Sequence, residues 1–219
     1  MKRVFAILLG LFVVIHFSAC KKDRLTANGN IISETRNLGQ FTGISSSGAT
    51  PVEVKYGTEF RVVVKGSSNI VPHYTTRVVN NVLHIGFERI GISRDDVEVI
   101  LTMPILNRIE LSGSTEVEVE GSFPAIASLN VSISGSGKVE VDHAIQVDQV
   151  KVDISGSGTV DFEEVLAKTA DADISGSGSL RLQVQDRIKA KISGSGKIYY
   201  RGNPVVQQDI SGSGKLIKF

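Results

Sequence analysis

An Ile-Ser-Gly-Ser-Gly stretch occurs five times without variation, at 133–137, 154–158, 174–178, 192–196 and 210–214. A near copy, Leu111-Ser112-Gly113-Ser114-Thr115, precedes them, and a weaker one, Ile44-Ser45-Ser46-Ser47-Gly48, lies further upstream. From Ser112 onward the first serines stand at 112, 134, 155, 175, 193 and 211, in steps of 22, 21, 20, 18 and 18 residues. A period near twenty means one supersecondary unit per repeat, and such a unit buries its apolar face only by stacking on the next. The chain is thereby confined to a solenoid or array.

The flanks of each copy say what the unit is. After the turn, Val139-Glu140-Val141, Val160-Asp161-Phe162, Leu180-Arg181-Leu182 and Ile198-Tyr199-Tyr200 place apolar residues at first and third positions. Before it, Val150/Val152/Ile154, Ala170/Ala172/Ile174 and Ile188/Ala190/Ile192 point one way, and Lys151/Asp153, Asp171/Asp173 and Lys189/Lys191 the other. A period of two with one apolar side is a half-buried strand. Each repeat therefore reads as strand, tight corner, strand and looser connection, with two strands per coil in two facing parallel sheets. Glycine suits the corner because it accepts positive φ and close backbone approach. The serine hydroxyls of Ser134, Ser155, Ser175, Ser193 and Ser211 are expected to form a ladder that satisfies corner backbone groups. Gln208 and Lys218 interrupt the inward pattern of the last coil, as terminal repeats of solenoids do.

Residues 31–110 are β-rich but less regular. Strands are expected around Val52–Tyr56, Arg61–Lys65, Val82–Phe87 and Val97–Met103, separated by turn signals such as Gly66-Ser67-Ser68-Asn69 and Asn80-Asn81. The expected organisation is a signal segment at 1–19, an anchor and flexible tether at 20–30, and one β domain over 31–219, with an irregular part to 110 and the repeat solenoid from 111.

The amino terminus has the parts of a secretory signal: Lys2 and Arg3, an apolar run from Val4 to Phe17, then Ser18 and Ala19. The run is too short for a transmembrane helix of about 20 residues. Phe17-Ser18-Ala19-Cys20 resembles a bacterial lipobox, which implies lipid attachment at Cys20, the one cysteine of the chain. With no second cysteine there is no intrachain disulfide. An exported, outer-membrane lipoprotein is expected, facing either the periplasm or the exterior.

Composition excludes one class. Removing Lys2 and Arg3 leaves 22 basic against 23 acidic side chains, a net charge of −1. Nucleic-acid binding needs a concentrated positive field, so none is expected.

Catalytic motifs fail on spacing. Ser-Gly-Ser-Gly-Lys at 134–138, 193–197 and 211–215 lacks the early glycine and the following Ser or Thr of a phosphate loop, and strands rather than helices follow. A nucleophile elbow needs Gly-x-Ser-x-Gly. No aspartate occupies the place that calcium-binding β-rolls use. His73, His84 and His143 show no metal-ligand spacing. No catalytic residue, cofactor or metal is expected. Tyr199 points outward by register with Ile217 beside it on the next coil, so this pair is the candidate contact surface.

The lipobox around Cys20, the passage from Met103-Pro104-Ile105-Leu106 to Leu111-Ser112-Gly113-Ser114 and the serial ISGSG corners together resemble the family of putative auto-transporter adhesins with the head GIN domain. The resemblance spans roughly residues 35–215. It implies a β-helix-like, pectin-lyase-like fold, no recognised catalytic residues and a role in adhesion. Related "toastrack"-type β domains are linked to envelope-stress sensing. The favoured expectation is a lipid-anchored adhesin or surface-binding module without enzyme activity. A structural or sensory envelope protein is the alternative, and a carbohydrate-active β-helix enzyme is less favoured. The partners expected are the membrane, through lipid on Cys20, and a host or matrix glycan or protein. Homo-oligomers formed by lateral or end-to-end pairing are a further mode.

Overall fold

The computed structural model describes residues 24–88 and 91–219. The strands are β1 (Leu25–Thr26), β2 (Ile31–Arg36), β3 (Gly43–Gly48), β4 (Val52–Tyr56), β5 (Arg61–Ser67), β6 (Tyr74–Val79), β7 (Val82–Phe87), β8 (Ile92–Arg94) and β9 (Glu98–Met103), with a single 3-10 turn at Val71–His73. They continue as β10 (Arg108–Gly113), β11 (Glu116–Glu120), β12 (Ile126–Gly135), β13 (Lys138–Val141), β14 (Ile145–Gly156), β15 (Thr159–Gly176), β16 (Ser179–Gly194), β17 (Lys197–Arg201), β18 (Val205–Gly212) and β19 (Lys215–Lys218).

The ISGSG copies stack in register. Ser112, Ser134, Ser155, Ser175, Ser193 and Ser211 align coil on coil through parallel pairing. Inside, one column runs Leu111, Ile133, Ile154, Ile174, Ile192, and a second beyond the corner runs Val117, Val139, Val160, Leu180, Ile198. All ten are buried in one continuous hydrophobic core. The result is a β-solenoid of about five stacked turns, with a less regular N-terminal part.

The corner divides its work between two glycines. Gly156 has φ +124°, and a Cβ there would stand 2.5 Å from the carbonyl oxygen of Gly135 on the preceding coil. Gly158 carries no such φ; a Cβ there would stand 2.7 Å from Ile133 Cγ2. The first glycine makes the turn, and the second leaves room for the isoleucine one coil back. The serine hydroxyls do not play the part expected of them. The serine side chains are exposed, and the corner backbone bonds directly from coil to coil, as Ser157 N to Gly135 O (2.9 Å) and Thr159 N to Gly137 O (2.9 Å). With backbone N–H and C=O groups spaced at the strand repeat, the corner needs no side-chain donor.

The looser connection also pairs. Ile145 aligns with Val165 and Val147 with Ala167, which in turn aligns with Val184. These residues are buried, so the middle coils have a third, shorter wall. It merges with its neighbours, which is why β15 runs for 18 residues.

The stack also reaches further upstream than the exact repeats. β3 aligns with β10, with Gly48 opposite Gly113, and β4 aligns with β11. Residues 43–56 thus form a coil of the same array. β7 and β9 continue the parallel stack on β3 and β4, and the remaining N-terminal strands add antiparallel pairs, β2 with β5, β5 with β9 and β6 with β7. Asn80 and Asn81, at φ 51° and 61°, close the last of these hairpins. The segment up to Asn30, expected as a flexible tether, is held from Leu25 onward. β1 pairs with β8, Gly29 N donates to Ser67 Oγ (2.9 Å) and Ser68 N donates to Asn30 O (2.9 Å). A polar stretch with several amides finds partners on a loop about 40 residues away, which local composition does not announce. Among the described residues no helix is long and apolar enough to cross a membrane.

Candidate functional site

Alternation along each strand sends every second side chain outward, and parallel register stacks these into columns. On the wall after the corner, the central outward column runs from Ile100 on β9 through Glu53, Glu118, Glu140 and Asp161. It continues Arg181, Tyr199, Ile217. The expected neighbours Tyr199 and Ile217 are therefore paired on adjacent coils, and both are half-buried.

Tyr199 is part of a larger cluster. The Arg181 guanidinium carbon lies 5.7 Å from the centre of the Tyr199 ring and 5.8 Å from that of Phe219. Arg201 lies 4.9 Å over Phe219. Glu163 bridges both arginines, at 3.5 Å to Arg181 and 3.2 Å to Arg201. Cation–π contacts of this exposed kind are worth about 0.5–1 kcal/mol each. They hold flat, amphipathic groups upright at the C-terminal end of the wall. Phe219 and the two arginines were not singled out from sequence. Their signal lies in register, since Arg181 precedes Tyr199 by one coil, but the stacking depends on rotamers that spacing does not report.

Toward the N-terminal coils the same wall is acidic. Glu118, Glu120 and Asp142 bring carboxylate oxygens within 4.8 Å of one another. Partial burial, together with the charges of Asp142, Glu120 and Glu140, pushes the Glu118 carboxyl above its usual range. Lys138 relieves the other flank. Its ammonium group bridges Glu140 and Glu116 and is held well above the usual lysine range by them. The carboxylate group arises from stacking of one strand on the next, and its members are exposed or half-exposed. Nothing beyond the carboxylates points to a cation there.

The wall before the corner differs. Its columns Lys151/Asp171/Lys189 and Asp153/Asp173/Lys191 align as the register predicts. They are cross-linked at 3.1 Å (Lys151–Asp153), 3.4 Å (Lys191–Asp173) and 3.3 Å (Arg187–Asp171). Such exposed pairs contribute about 0–1 kcal/mol each and leave a solvated, balanced face. The grooves between coils are open to solvent. His73, His84 and His143 lie on different elements: His73 ends the 3-10 turn, His84 sits on β7, and His143 Nδ1 accepts from Gly121 N (3.2 Å). Cys20 lies outside the described residues.

A model of the family described as "putative auto-transporter adhesin, head GIN domain" matches residues 40–204. Among solved structures, one described as a putative adhesin from Bacteroides fragilis NCTC 9343 superposes with a TM-score of 0.75 at 19% identity, covering 89% of this chain and 100% of that one. One described as a putative lipid binding protein from Parabacteroides distasonis ATCC 8503 gives 0.61 at 19% identity over 90% and 99% of the two chains. A putative adhesin from Parabacteroides merdae ATCC 43184 gives 0.55, also at 19% identity and 90% and 99% coverage. At these identities the likeness is one of fold. No curated protein matches the chain.

Proposed function

The chain belongs to the family described as putative auto-transporter adhesin, head GIN domain, and from that membership we propose that it is a lipid-anchored, non-catalytic surface-binding module of the cell envelope. The anchor is Cys20, in a lipobox-like context, and the expected location is the outer membrane. The observation that carries the binding role is the outward wall after the corner. It presents a continuous ladder of fixed side chains that ends in Tyr199, Ile217, Arg181 and Phe219. Aromatic and arginine groups with restricted rotamers bind at low entropic cost. On this reading the contact surface is that end of the wall, and a host or matrix glycan or protein is the ligand class.

The absence of enzyme activity is part of the same reading. The groups with catalytic potential on the wall, such as Glu163 and Asp161, are engaged by Arg181 and Arg201 in ion pairs.

The test is an array of glycans and matrix proteins probed with residues 24–219, which carry the whole core. Binding that is lost on Tyr199→Ala with an unchanged melting temperature supports the proposal. Binding to nothing, together with co-purification of an envelope protein, favours the structural or sensory alternative. For the anchor, incorporation of labelled palmitate that disappears in Cys20→Ala is expected.

A further inference from the structure

The wall after the corner is polarised along the axis of the stack. On β4, β11, β13 and the first part of β15 its outward positions carry seven carboxylates, with Asp142 just past β13 as an eighth, against two lysines, Lys55 and Lys138. On β16, β17 and β19 the same columns carry Arg181, Lys197, Arg201 and Lys215 and no carboxylate. The sign changes between Asp161 and Arg181, near the middle of the ladder. We propose that this face binds a second copy of the chain, packed face to face with its axis reversed, so that the acidic half of each copy meets the basic, aromatic half of the other.

The geometry closes on itself. A two-fold axis in the plane of the wall, passing between β15 and β16, sets β13 opposite β17 of the second copy and β11 opposite its β19. Glu116 then faces the second copy's Lys215, and Asp142 faces its Arg201. Each such pair occurs twice, as an isologous interface requires; the one like-charged pair the rotation makes is Lys138 opposite the second copy's Lys197, where Glu116 and Glu140 already neutralise Lys138. The flank charges stay in their own columns under this rotation, so the match does not depend on sliding the register. Charge already crowds the acidic half, where the carboxylate oxygens of Glu118, Glu120 and Asp142 lie within 4.8 Å of one another. Cations from the second copy relieve that repulsion.

The size of the face sets the strength. The six strands that overlap, at about 4.8 Å each, and five residues at about 3.3 Å cover roughly 30 by 16 Å. This is about 500 Å² per copy and about 1,000 Å² in total, at the low end of specific interfaces. Exposed charges are screened beyond about 10 Å at 0.1 M salt. A reversible, salt-sensitive pairing follows rather than an obligate dimer.

The inference rests on the reading of this wall as the contact surface and names its partner. Sedimentation of residues 24–219 at about 20 mM and about 500 mM salt tests it, with circular dichroism melts as the check on folding. Dimers at low salt that dissociate at high salt are expected. Glu116→Lys alone and Lys215→Glu alone should each weaken pairing at least about tenfold, because each places like charges opposite one another twice. The double variant Glu116→Lys/Lys215→Glu, carried on one chain, restores both contacts and should return affinity to within about threefold of the parent. A monomer under every condition overturns the inference. So does a dimer indifferent to salt and to both reversals. A chain that stays monomeric yet binds an array ligand removes the second copy and leaves the surface-binding reading standing. A charge-dependent dimer that binds no array ligand does the reverse.

Discussion

Ser46 Oγ and Thr115 Oγ1 meet in a 3.0 Å hydrogen bond inside the core, where later coils place an isoleucine against a glycine. Ser46 shares its column with Leu111 and Ile133. Thr115 precedes Glu116 as Gly137 precedes Lys138, and those two strands are paired. In the regular coils the second corner glycine makes space for the bulky residue one coil back, as Gly158 does for Ile133. The first coil inverts the sizes: a small residue fills the isoleucine site, a larger one fills the glycine site, and a hydrogen bond joins their hydroxyls.

That inversion predicts a coupled pair. Thr115→Gly alone leaves the buried Ser46 hydroxyl unpaired beside a void, at a cost of about 1–3 kcal/mol. Ser46→Ile alone drives a side chain against Thr115 and costs a similar ~1–3 kcal/mol through overpacking. The double variant rebuilds the arrangement of the later coils and should be much closer to the parent than the two losses added together. Urea titrations of the four proteins measure this coupling, and additive losses would contradict the size-swap account.

The two glycines of a regular corner should respond differently. Gly156→Ala forces a side chain into both a left-handed φ and a backbone carbonyl 2.5 Å away, and neither can move without unstacking a coil. Gly158→Ala has its tightest contact with Ile133 Cγ2, at 2.7 Å, a side chain that can shift, and lies 3.2 Å from the Gly137 carbonyl oxygen, without the left-handed φ. Gly156→Ala is therefore expected to lower the melting temperature by several degrees more than Gly158→Ala. Lys138→Val, on the exposed outer side, removes surface ion pairs worth about 0–1 kcal/mol each and should shift melting least. Differential scanning calorimetry ranks the three, and equal shifts would argue against the corner geometry.

Much of this architecture was legible because its determinants are local and repeated. Alternation around Val139, Val160 and Leu180 fixed the inward side, and the spacing of the ISGSG copies fixed which residues stack, including Tyr199 on Ile217. The serines stack in a ladder as their spacing predicts, but the capping role expected of their hydroxyls is filled by the backbone, since close stacking lets Ser157 N reach Gly135 O directly. The third wall was hidden because Ile145, Val147 and Val165 sit in a stretch of uneven length, where period and register shift together. The acidic column escaped notice because Glu53 joins Glu118 across a 65-residue excursion. The attachment of Asn28 to Asn69 is likewise non-local.

Tyr74 gives the fold a pH limit on the alkaline side. Its ring packs edge-on against Phe87 at 4.9 Å, and burial pushes its hydroxyl up to about 12, with Thr50 pulling modestly the other way. In the unfolded chain a tyrosine ionises near 10. Between those values the unfolded state has lost its proton while the folded state retains it, so stability falls as pH rises. Below pH 10 both states are protonated and this group contributes no pH dependence. Denaturation midpoints followed from pH 9 to pH 12 should show that decline, and Tyr74→Phe should flatten it. An unchanged slope in the variant would place the alkaline loss elsewhere.

The last coil should be the least protected part of the stack. Every residue of β18 except Ile210 is exposed, with Val205 at 66%, and among the described residues no coil covers its outer edge. The inward positions there are filled by Gln208 opposite Ala190 and Lys218 opposite Tyr200, which cover the core end with polar groups and discourage further strand addition. Beyond its single-sided ladders on β16 and β17, this coil is fastened at its end by the Phe219 N bond to Tyr200 O (3.1 Å) and the stacking of Arg201 and Arg181 on the Phe219 ring. Local opening of an end repeat breaks only one coil interface, whereas opening β15 breaks two. Hydrogen exchange should therefore be fastest in 205–218 and slowest in 159–176. Deleting Phe219 should speed exchange in β17 and β19 while leaving β12 to β15 unchanged. If deletion accelerates exchange along the whole stack, the coils open as one cooperative unit and the end-repeat account is wrong.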